Sequence, residues 1–106
     1  MSKVLIWLAS GERSKLMPGV LWGTNAKRHG WVDEVRVVVF GDSEQTVMKD
    51  DELFNLVQEI EGTMFCRHVA ESQGTLEQLE QKGAKVEYVG EPIAKAIADG
   101  FTVITF

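Results

Sequence analysis

Only one cysteine, Cys66, occurs in the chain. No internal disulfide can form, which excludes the small secreted disulfide scaffold and points to a reducing compartment. Long apolar runs are missing too: after Met1-Ser2-Lys3 the first run, residues 4–9, is too short for a signal peptide or a membrane span. The expectation is a soluble cytoplasmic protein with no membrane partner. Positive charge is in deficit, with 11 Lys and Arg against 16 Asp and Glu. With no global field to attract phosphate backbones, no direct nucleic-acid partner is expected. Residues 10–15, Ser-Gly-Glu-Arg-Ser-Lys, lack the glycine spacing of a dinucleotide or P-loop fingerprint. Cys66 and His68 have no further metal ligands grouped nearby, so no metal and no organic cofactor are expected.

The 106 residues suit one domain, residues 1–106, with a single core. Residues 3–9 and 35–40 are continuous rather than alternating apolar runs, the mark of parallel strands covered on both faces. Between them Pro18 suits the first turn of a helix, and Lys27, Arg28, His29 and Gly30 make a basic last turn with a glycine stop. A second helix starts at Asp50-Asp51-Glu52, carries Leu53, Leu56, Val57 and Ile60 on one face, and ends at Gly62. Residues 64–66 are a third strand. The helical pattern that follows is broken at Gly74, and Thr75-Leu76-Glu77-Gln78 reads as a capping box that restarts it until Gly83. Residues 86–89 form a fourth strand, Glu91-Pro92 opens a helix closed by Gly100, and residues 101–106 are the last strand. Five strands alternating with four helices predict an α/β fold: a three-layer α/β/α sandwich on a five-stranded, mainly parallel sheet. Residues 41–49 read as the longest irregular connection.

Cys66 lies where the third strand passes into a helix, at the sheet edge where ligands and reactive groups collect. Arg67 or His68 beside it would favour the thiolate, the form that attacks electrophiles. The opposite reading is that Cys66 is a small apolar filler, as free cysteines often are. Parallel strands share one carboxyl edge, so Gly41 and Asp42 after the second strand are supporting candidates: Gly41 for backbone room, Asp42 for a hydrogen bond or a cap. Trp7 reads as core. Core packing is the default for Trp22 and Trp31 as well, with an interface through Trp22 as the alternative; together with the region of Met48 they bring more apolar content than so small a domain readily encloses, which favours a homo-oligomer: dimer, trimer or hexamer.

The first strand with Trp7, the run Val35-Arg36-Val37-Val38-Val39-Phe40-Gly41-Asp42, Cys66 with Ala70 and Gly74 behind it, and the ending Ala98-Asp99-Gly100-Phe101-Thr102-Val103-Ile104-Thr105-Phe106 resemble the DsrE/DsrF-like family. The resemblance covers nearly the whole chain. It implies the same sandwich, assembly into dimers, trimers or hexamers and, for some members, sulfur relay between donor and acceptor proteins through a persulfide at the position of Cys66. Two functions are therefore carried forward. One is a sulfur-relay protein with Cys66 as the carrier; the other is a non-catalytic oligomeric or small-ligand binding protein with Cys66 structural.

Overall fold

The computed structural model describes residues Met1–Phe106. Its strands are β1 (Lys3–Leu8), β2 (Glu34–Val39), β3 (Met64–Cys66), β4 (Lys85–Glu87) and β5 (Thr102–Thr105). They pair in the order β4-β3-β2-β1-β5, and every pair is parallel. The helices are α1 (Arg13–His29), α2 (Ser43–Lys49), α3 (Asp51–Gln58), α4 (Arg67–Gln73), α5 (Leu76–Gln81) and α6 (Gly90–Ala98). The chain steps from β1 to β4 in one direction, so right-handed crossovers lay the intervening helices on one face. The return from β4 to β5 crosses the whole sheet and puts α6 on the other. The expected α/β/α sandwich is therefore present, but its layers are unequal.

Side chains sort accordingly. Val4, Ile6, Leu8, Val35, Val37, Val39 and Phe65 point into a core of 18 buried residues with Leu16, Val20, Val47, Leu53, Val57 and Leu79 from the helices. The alternate positions Leu5, Val38 and Cys66 face α6 and form a second cluster with Val89, Ile93, Ala96 and Phe101. Only seven buried residues make up this cluster, so the α6 face is the thinner half of the molecule.

Four local expectations are corrected. Residues 41–49 are not irregular, because Ser43–Lys49 is a helix. Its buried face is Ser43, Glu44, Val47 and Met48, and two polar residues in that stripe hide the helical period from an apolar pattern. Pro18 lies well inside α1, which starts at Arg13; exposed Arg13, Ser14 and Lys15 form the first turn, so the apolar pattern reveals the helix only later. Thr75 precedes α5 without a side-chain capping bond, and its buried hydroxyl has no partner. Met48 is buried in the main core rather than exposed, leaving Trp31, 58% exposed, as the open aromatic of that group.

Candidate functional site

The carboxyl edge of the sheet is assembled from the segments that leave β1, β2 and β3. Strands β2 and β3 are neighbours, with Val38 opposite Met64 and Val39 opposite Phe65. The β2 exit is pinned to the β1 exit: the Ser43 amide donates to the Ala9 carbonyl at 3.3 Å, the Ser43 hydroxyl donates to the Leu8 carbonyl, and the Thr46 hydroxyl donates to the Gly11 carbonyl at 2.6 Å. Gly41 makes this approach possible. Its φ is 130°, and a Cβ there would lie 3.0 Å from the Ala9 carbonyl oxygen, so the expected need for backbone room has a specific cause. Asp42 is exposed and makes no side-chain cap on α2.

Cys66 ends β3 and stands at the N-cap position of α4. It is only 3% exposed, its side chain packed in the apolar cluster beneath α6. The expected helpers are not gathered around it. Arg67 faces Glu71 at 3.8 Å, and His68 is exposed with no hydrogen bond or ion pair. Cys66 ends β3 with its side chain in the cluster beneath α6, whereas Arg67 and His68 are the first two residues of α4.

Sequence reasoning misses Glu44. It is fully buried on the helix-rich side of the sheet, and neither carboxyl oxygen has a hydrogen-bond partner. Burial pushes its pKa up to about 8; the nearby backbone amides of Gly41 and Cys66 pull the other way without making bonds of ordinary geometry. Glu44 reaches the Cys66 backbone, whereas the Cys66 side chain packs under α6, so the carboxyl is not placed to deprotonate the thiol. The one signal available in the sequence was a Glu at the same helical spacing from Met48 as Ser43 is from Val47.

The α6 face is the other candidate surface. A groove of about 620 Å³ runs between α6 and the sheet, with Leu5, Val38 and Met64 on its floor and Arg36, Tyr88 and Lys95 among its walls. Beside it Trp7 stacks on Phe40 with ring centres 5.2 Å apart, both partly exposed, and the Trp7 indole donates to the Phe40 carbonyl at 3.2 Å. Trp7 is thus a half-open face residue rather than core. No group of three or more His, Cys, Asp or Glu side chains is arranged to hold a metal ion, and no helix is long and apolar enough to cross a membrane.

No protein-family model matches the chain, and no curated protein does. Among solved structures, a conserved protein of unknown function from Bacteroides thetaiotaomicron is similar, with a TM-score of 0.80 at 17% identity over 98% of this chain and 95% of that one. The likeness covers the whole fold and concerns the fold alone.

Proposed function

We propose that this chain is a non-catalytic binding protein that works as a homo-oligomer through the α6 face of its sheet, with Cys66 as part of that face's packing. The observation that carries this reading is the environment of Cys66: 3% exposed, among Leu5, Val38, Val89, Ile93, Ala96 and Phe101, with no basic partner. Thiol exchange needs an accessible thiolate. A parallel sheet, in turn, is stable when both faces are covered. A single nine-residue helix on one face leaves the Trp7–Phe40 stack and the groove open. The groove carries both signs, Arg36 and Lys95 beside Glu87, Glu91 and Asp99, so a two-fold related copy can set opposite charges against each other. Assembly also agrees with what the DsrE/DsrF-like resemblance implies. A thiol reagent added to native protein tests the reading. Slow labelling of Cys66, complete only after denaturation, is expected; rapid native labelling overturns it.

Sulfur relay is the second reading, favoured by the place of Cys66 at the end of β3 and the start of α4. In that reaction the Cys66 thiolate attacks the outer sulfur of a donor protein's persulfide, the donor leaves as a thiolate, and Cys66 holds the sulfane sulfur for an acceptor. Incubation with a persulfide-bearing donor followed by intact mass separates the two. One added sulfur on wild type, absent from Cys66→Ser, would establish relay and remove the first reading.

A further inference from the structure

The buried carboxyl of Glu44 has no role in either reading. It sits in a seven-residue helix held between two fixed points. At one end Gly41, with its positive φ, follows β2; at the other Asp50 caps α3 by accepting from the Leu53 amide at 3.1 Å and is gripped by Arg13 at 2.6 Å. The polar bonds that hold α2 to the β1 exit come from Ser43 and Thr46, and Val47 and Met48 are its apolar anchors.

The charged groups on the surrounding elements leave Glu44 alone. On α1 and the turn before it, Arg13 is bonded to Asp50 and Glu52, and Lys15 to Glu12. On α3 and α5, Asp51 faces Lys82. On α4, Arg67 faces Glu71 and His68 is at the surface. On and beside α2 itself, Lys49 and Asp42 are exposed. None of these makes an ion pair with Glu44, and only the backbone amides of Gly41 and Cys66 draw near its carboxyl, without bonds of ordinary geometry. Docked α2 accommodates the neutral acid and has no counter-ion for the carboxylate.

We propose that Glu44 makes α2 a proton-gated flap on the carboxyl edge of the sheet: protonated, it stays docked with the helix, and ionised, it carries the helix outward between its Gly41 and Asp50 ends. The proton goes to solvent, and α1, α3 and the sheet stay in place. Opening would uncover the backbone at the β1 and β3 exits, the edge where parallel sheets bind ligands.

Hydrogen exchange on the full chain tests this, comparing about pH 6.5 with about pH 9.5 after correction for base-catalysed chemical exchange. Protection of the α2 amides is expected to fall roughly tenfold or more in wild type while β1 and α3 keep theirs, and to stay constant in Glu44→Gln. Equal α2 protection at both pH values in wild type overturns the proposal, as does loss of protection by α2 and β1 together. Should Glu44→Gln fail to fold, carboxyl-labelled wild type decides: the Glu44 resonance must titrate over the same pH range in which α2 opens, and titration in the ordinary carboxylate range overturns it.

Discussion

At position 44 one buried carboxyl gives stability a pH dependence of its own. The folded-state pKa is raised to about 8 from the ordinary 4.5, so between those values the folded chain holds a proton that the unfolded chain has released. Stability is therefore full below about pH 4.5 as far as this group is concerned, falls by about 1.4 kcal/mol per pH unit at most as pH rises, and levels off above about pH 8. Urea midpoints across that range are expected to decline in wild type and to be nearly flat in Glu44→Gln; a flat wild-type profile would remove the buried acid. Cys66 poses a different residue question. Its surroundings are apolar, so Cys66→Ser buries a hydroxyl among hydrocarbon at a cost of about 1–3 kcal/mol, whereas Cys66→Ala loses only a small volume. The expected order of urea midpoints is wild type, then Ala, then Ser, and a Ser variant as stable as wild type would show that water or a partner reaches position 66.

Elements differ in how plainly the sequence announces them, and the reason is what each buries. Strands β1 and β2 are legible because most of their residues are apolar and buried, Val4 to Leu8 in a continuous apolar run and Val37 to Val39 after the single interruption at Arg36. Residues Met64–Cys66 and the break at Gly74 are equally plain, since a short β run and a glycine in the left-handed region punctuate the chain. Helix α2 is hidden because Ser43 and Glu44 occupy half of its buried face, and α1 begins early because its first turn is solvated and uncapped. At the candidate site the place of Cys66 is legible, but its burial depends on α6, which arrives from the far end of the chain. Gly41 shows how tightly α2 is tied to its neighbours. Gly41→Ala combines an unfavourable φ with a clash against the Ala9 carbonyl and is expected to cost about 1–3 kcal/mol in urea unfolding. A neutral effect would mean that the β1 and β2 exits are not held together as described.

For the whole molecule the decisive feature is the imbalance between its two faces. The helix-rich side buries 18 residues in one cluster, the α6 side seven, although both flank the same five strands. Tyr88 and Ile97, at the start and on the outer side of α6, are 60% and 57% exposed, and the Trp7–Phe40 stack lies partly open on the same face. A stable interface hides about 800 Å² per partner, a moderate share of the 5660 Å² that the single chain exposes. A copy seated here would supply the cover that a parallel sheet requires and that nine residues of helix leave unfinished. Light scattering at micromolar concentration is therefore expected to give a multiple of the 11.8 kDa chain mass. Tyr88→Asp with Ile97→Asp should return the monomer, and because the first change also removes the 3.0 Å hydrogen bond from the Tyr88 hydroxyl to Glu71, the separated chain is expected to lose about 1 kcal/mol in urea unfolding and to stay folded. A wild type already at 11.8 kDa excludes self-association. An oligomer untouched by the two substitutions would move the interface to another face, where the exposed Trp31, stacked on His29 at 5.3 Å, is the next surface to change.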